Sequence, residues 1–155
     1  MVGFLRKRVG DNLRKKDRER KKEWLKSYRE LLNKSNRLDI TLIEYKNAID
    51  YSETVNERLG LKEEILQQQV DKIKVEADTI SRELKETNDK LKEILDAINQ
   101  ISSESKKLIL VMRYIAGMDI EDIAADRHYS KRQIYRLRDT ALDELVINDG
   151  TQCQN

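Results

Sequence analysis

The sequence predicts an all-α protein, a long coiled-coil or helical hairpin followed by a C-terminal three-helix unit. Three observations carry this expectation. Proline is absent from the 155 residues and glycine stands only at positions 3, 10, 60, 117 and 150, so helix can run unbroken over long stretches. Apolar residues keep one heptad register from Trp24 to Ile101. Beyond Ile101 the spacing changes to short helical segments separated by residues that cap and turn. Charged residues make up 39% of the chain and apolar residues 38%, a balance that suits exposed helices or disorder better than one thick core. The periodicity decides for helix.

Residues 1–22 read as a basic N-terminal arm. The first thirty residues carry twelve Lys/Arg against five Asp/Glu, whereas residues 31–100 carry eleven against fifteen and residues 101–155 eight against nine. Nearly all of the excess positive charge is therefore at one end. Asp17, Glu19 and Glu23 permit ion pairs along a helix, so the arm reads equally as a solvated helix, a disordered tail or a phosphate-binding segment.

Residues 23–101 read as a coiled-coil or helical oligomerisation region. Eighteen of its 23 seam positions are apolar, among them Trp24, Tyr28, Leu38, Leu42, Val70, Leu84, Leu91 and Ile98. Trp24 and Tyr28 fall on this seam and are expected to pack there. Polar seam residues cluster at Ser52, Asn56 and Glu63 around Gly60, where a hairpin turn or hinge is expected. Ser35 makes a second weak point between Asn33 and Ile40, and Thr41 to Glu44 reads as a capping box that could restart a helix. Two or three helices are expected. Periodicity alone leaves open whether the seam closes within one chain or between chains. Homo-oligomerisation is favoured on two grounds. Leu66 to Ile101 offers more seam than a folded-back Leu38 to Leu59 would cover, and Leu84 and Leu91 at a with Ile80, Ile94 and Ile101 at d shift parallel coils above the dimer.

Residues 102–148 read as three short helices. Ser102 to Ser105 is a polar cluster able to stop one helix and cap the next. The first helix, 104–116, would turn Leu108, Val111, Met112 and Ile115 inward and end in a left-handed cap at Gly117. Asp119 is placed to cap a second helix running to about Arg127, with Ile120, Ile123 and Ala124 inward. Ser130 and Gln133 form a capping box for the third, whose inward positions are Ile134, Leu137, Ala141, Leu142 and Leu145. That spacing leaves Lys131, Arg132, Tyr135, Arg136 and Arg138 on outer faces near the start of the helix.

Early outer positions on the second helix of a helix-turn-helix reach base edges in the major groove. Arg and Lys can bridge guanine acceptors or meet phosphates, Gln can pair with adenine, and Tyr can touch a thymine methyl or a phosphate. Double-stranded DNA is the expected partner, with Lys131, Arg132, Gln133, Tyr135, Arg136 and Arg138 as the DNA-binding residues and Asp119 and Ser130 as helix caps.

The stretch from Leu110 to Ala124, LVMRYIAGMDIEDIA, and that from Tyr129 to Leu145, YSKRQIYRLRDTALDEL, resemble the helix-turn-helix of sigma-70 region 4. With the long helical first half, the chain resembles ArpU/RinA-type regulators of late genes in phages and prophages of Gram-positive bacteria. The resemblance implies sequence-specific promoter binding, with Lys131, Arg132, Gln133, Tyr135 and Arg136 matching positions on the DNA side of the recognition helix. Two residues depart from it. His128 takes the turn position where the motif commonly has glycine, and must adopt a left-handed conformation. Arg132 stands where an acidic residue is frequent, so the promoter read by sigma factors does not transfer. Nothing resembles sigma region 2.

Cys153 and His128 are the chain's only cysteine and histidine, too few for a disulfide framework or a zinc site within one chain, and no cofactor is expected. Residues 149–155 read as a disordered tail with Cys153 inert. No phosphate-binding loop or nucleophile-base pair is visible, so an enzyme is not expected. No apolar stretch reaches the length of a signal peptide's core or a membrane span, which with the single cysteine points to a cytoplasmic protein. Two other readings remain: a small-terminase-like packaging subunit, which usually carries its DNA-binding unit first, and a coiled-coil adaptor docking on RNA polymerase.

Overall fold

The computed structural model describes residues 2–60 and 64–147, with the side chains of 2–9 and of residue 65 left undescribed. The described residues are mostly helical, without strands: α1 (Val2–Leu59), α2 (Glu64–Asn99), α3 (Glu104–Leu110) continued by a π-helical segment (Val111–Ile115), α4 (Ile120–Arg127) and α5 (Lys131–Glu144). The expected tail, 149–155, and its Cys153 lie outside the described residues, as does Glu63 of the seam.

Contacts group the chain into two compact units, one of residues 1–30 with 92–155, the other of residues 31–91. The basic segment set apart above by its charge is thus helical and belongs with the C-terminal elements. Three of its acids are matched to cations one turn on: Asp17 with Arg20 (3.0 Å) and Lys21 (2.8 Å), Glu19 with Lys22 (2.6 Å), Glu23 with Lys26 (2.6 Å). Pairs of this spacing favour the helix, weakly where both groups are exposed.

Residues 31–91 form an antiparallel hairpin. Lys34 pairs with Glu83 at 2.6 Å, Ser35 with Asn88 at 2.6 Å and Glu53 with Lys74 at 2.6 Å, partner numbers falling along α2 as they rise along α1. The seam residues Ser35, Leu42, Val70, Ala77, Thr87 and Leu91 are buried. Helix α1 ends at Leu59, and Gly60 follows in the left-handed region at φ 63°, where the expected turn lies. A cavity of about 200 Å³ opens beside Ser52 and Asn56, lined also by Val55, Leu66, Val70 and Ile73, so the polar seam positions do loosen packing there.

The second weak point is corrected. Helix α1 runs straight through Asn33–Ile40 because the buried Ser35 hydroxyl donates to Asn88 Oδ1, and Thr41 bonds back to the Arg37 carbonyl (3.0 Å) instead of capping a new start. A polar seam residue with a polar partner need not break a helix. The surplus seam expected on α2 also does not arise, since α1 extends to Val2 rather than starting at Leu38, and Ile94, Ile98 and Ile101 are buried within the first unit.

In that unit Ile109, Met112, Ile120, Ile123, Ala124 and Ile134 form one cluster, with Leu108, Met118 and Leu137 against it. Burying a side chain of this size stabilises by about 1.5–3 kcal/mol. Leu110, Tyr114, Leu142 and Leu145 are buried outside this cluster, as are Leu25 and Tyr28 of α1. Lys21, itself buried, donates from Nζ to the Leu142 carbonyl at 2.9 Å. The three-helix unit therefore has a second covered face, which residues of α1 reach.

The inward set of the first short helix is also revised. Val111 and Ile115 are only half-buried, while Ile109, Leu110 and Tyr114 are buried alongside Met112. The helix is covered on two faces, and its last turn widens to i→i+5 bonding (Ala116 N–H to Val111 O, 2.9 Å), which breaks 3.6-residue spacing.

Candidate nucleic-acid interface

Helix α4 begins after Asp119 in the N-cap position, but the Asp119 side chain makes no capping bond; its carboxylate accepts from Arg113 Nη1 at 3.2 Å instead. A nearby guanidinium outcompetes the backbone amides, so the side-chain cap expected of Asp119 is not formed. Gly117 supplies the expected left-handed turn at φ 76°, and His128 adopts the left-handed conformation its position demands, at φ 54° and ψ 38°.

Ser130 opens α5 as expected. Its hydroxyl accepts from the Gln133 N–H (3.2 Å), and its own N–H donates to Gln133 Oε1 (2.8 Å), closing both halves of the capping box. This fixes the first turn of α5, and it has a chemical consequence. A bidentate contact of Gln133 with adenine would need the amide oxygen that the cap already engages, leaving its NH₂ group free to donate.

Lys131, Arg132, Gln133, Tyr135 and Arg136 are all exposed. Lys131 pairs with Glu121 of α4 at 2.6 Å, and that bond holds the Glu121 carboxyl below its ordinary range. Arg132 and Arg136 form no ion pair among the described residues. Two open depressions flank Arg136. One, of about 300 Å³, is lined also by Tyr129, Gln133, Leu137 and Thr140; the other, of about 510 Å³, by Arg18, Lys131, Arg132, Tyr135 and Asp139.

Arg138 departs from its expected outward placement. Its side chain is only 16% exposed, bonded to Asp139 (2.7 Å) and stacked over the Tyr135 ring 4.9 Å from the centroid. Helical spacing explains this, for Arg138 lies four residues after Ile134 and four before Leu142, on their buried face and away from the stripe of Arg132 and Arg136.

The acids of α5 have opposite fates to its first cations. Arg18 of α1 grips Asp143 with two bonds (Nε to Oδ1, 2.7 Å; Nη2 to Oδ2, 2.6 Å) and reaches Asp139 at 3.5 Å. The Arg18 bond holds the Asp143 carboxyl below the usual range. Glu144 is paired with Lys106. Sequence reasoning missed Arg18. The one signal available was that Arg18, Lys21, Leu25 and Tyr28 share a helix face, extending the packing stripe upstream of Trp24.

Among the described residues no group of three or more His, Cys, Asp or Glu is placed to hold a metal, and no helix is long and apolar enough to cross a membrane. Fold and site together define a class: among the described residues, a strand-free helical protein in which a long antiparallel hairpin is followed by three short helices, the last of them capped and cation-bearing. Residues 62–146, more than half of the chain, match the family described as "Protein of unknown function (DUF1492)", and the chain belongs to that family. No curated protein and no solved structure matches it.

Proposed function

We propose that this protein is a sequence-specific, double-stranded DNA-binding regulator of transcription, of the ArpU/RinA type that serves phages and mobile elements, acting in the cytoplasm and without enzymatic activity. Helix α5 is the recognition helix. The observation that carries this reading is the sorting of charge along α5: Arg132 and Arg136, on its first two turns, are exposed and unpaired among the described residues, whereas the acids on its later turns are claimed by Arg18, Arg138 and Lys106. A helix with two arginines left open on its capped first turns presents donors that phosphate oxygens and guanine edges accept.

Lys131, Tyr135 and the NH₂ of Gln133 flank the two arginines and complete the reading surface. Arg138 supports it from behind, holding the Tyr135 ring. The hairpin serves oligomerisation: on α1 within residues 31–91, Leu32, Ile40, Ile43 and Tyr51 are exposed, and helical spacing puts them roughly opposite the buried seam. A second copy bound there would bring two reading heads to repeated half-sites.

The test is selection of duplexes bound by the full chain from a random pool. Enrichment of one motif, or of a repeat of one motif, is the expected outcome; recovery of no motif at low ionic strength would remove the reading.

A further inference from the structure

Arg132, Arg136, Asp139 and Asp143 succeed one another at spacings of four, three and four and so share one stripe of α5. Asp139 lies about 4.5 Å and Asp143 about 10.5 Å along the axis from Arg136 at 1.5 Å per residue. The screening length in physiological salt is about 8 Å. Left bare, the nearer carboxylate would oppose any phosphate drawn to Arg136, and the farther one would add to the repulsion.

Neither is bare. Asp139 is bonded to Arg138 at 2.7 Å, while Arg18, whose side chain is 24% exposed, reaches Asp139 at 3.5 Å and grips Asp143 at 2.6 Å from α1, and Arg14 and Lys21 lie near enough to act on Asp143. Arg18 also lines the depression that holds Arg132 and Arg136. We propose that Arg18 is a positioning residue of the DNA-binding unit: by gripping Asp143, and by joining Arg138 at Asp139, it cancels the acidic half of the recognition stripe, which makes the N-terminal segment of α1 a working part of the reader. This inference rests on the DNA reading above. It assigns Arg18 an electrostatic role, distinct from merely fastening α1 to α5.

The experiment measures equilibrium binding of the full chain to a labelled duplex recovered by selection and to a scrambled duplex, at physiological salt. R18A is expected to weaken both by about 5–30-fold, since the charge it uncovers carries no sequence information. D139N/D143N, which removes the charges with Arg18 in place, should bind at least as tightly as the parent. R18A/D139N/D143N should return to within about threefold of the parent although the ion pairs are gone, as expected of a purely electrostatic term. A fastening role would leave this triple variant as weak as R18A, and that result overturns the proposal. So does parental affinity in R18A, or weakened binding by D139N/D143N, a comparison that holds even if R18A fails to fold. Should the parent bind no duplex, both readings fall; should it bind one through Arg136 while R18A is unaffected, only this one does.

Discussion

The two ends of α5 carry charge of opposite sign, Lys131, Arg132 and Arg136 against Asp139, Asp143 and Glu144, and treat it differently. Over Lys131–Arg136 the polar groups are exposed and the two arginines stand without ion pairs among the described residues; over Arg138–Glu144 every charged group is matched, one partner coming from residue 18 and another from residue 106. What separates them is cover as well as the sign of the charge. The second half of the helix lies against neighbouring elements, where Ala141 and Leu142 are fully buried, and an acid beside such a surface is held by whatever cation the neighbour brings. The outer face of the first half is exposed, with Lys131 held by Glu121 and the two arginines by no ion pair among the described residues. A charge's availability to a partner is thus decided by elements far away in the chain.

That contrast can be broken in several places. The largest stability effect is expected at the core that holds α5 in place: Ile134, fully buried in the trihelical cluster, should cost about 2–4 kcal/mol when cut to alanine, measured by urea unfolding of the full chain. A loss under about 1 kcal/mol would mean that α5 is not anchored as described. Next comes the free end. Ser130→Ala removes the capping box and should cost about 1 kcal/mol, and it also releases the Gln133 amide. If Gln133 takes part in reading DNA, the same variant should alter base preference at one position, whereas unchanged preference would confine Gln133 to the cap.

The smallest effect concerns the matched end and its pH dependence. The Asp143 carboxyl is held below its ordinary range by Arg18, so the stability it contributes is complete above the unfolded value and is lost as pH falls through the lower folded value. The pair is partly exposed and solvent screens it, so no more than about 1 kcal/mol is expected. Thermal unfolding of the parent and Asp143→Asn should therefore differ at pH 5–7 and converge in the acid range below the unfolded carboxylate value. A difference that persists unchanged there would assign it to shape instead of charge.

Features set by near neighbours were legible in the sequence. The seam from Tyr28 through Leu42, Val70 and Leu91 to Ile98 is a repeat, and burial follows it. Gly117, His128 and Ser130 announce themselves because turn and cap geometry involve residues within four positions. Several of the expectations that changed turned on distant or competing partners. Ser35 looked like a break until Asn88, 53 positions away, supplied a hydrogen bond. Asp119 looked like a side-chain cap until Arg113 engaged its carboxylate. Arg138 looked outward until Tyr135 and Asp139 held it in. The partnership of Arg18 with Asp143 spans 125 positions, and no local pattern encodes it.

The central claim is that Arg136, left open on the capped half of α5, reads DNA. Fluorescence anisotropy of the full chain and of Arg136→Ala on the selected and the scrambled duplex tests it most directly. The account predicts that the parent prefers the selected duplex and that the variant loses about 1–3 kcal/mol on it while changing little on the scrambled one, so that the preference shrinks. Equal losses on both duplexes, or none on either, would contradict it.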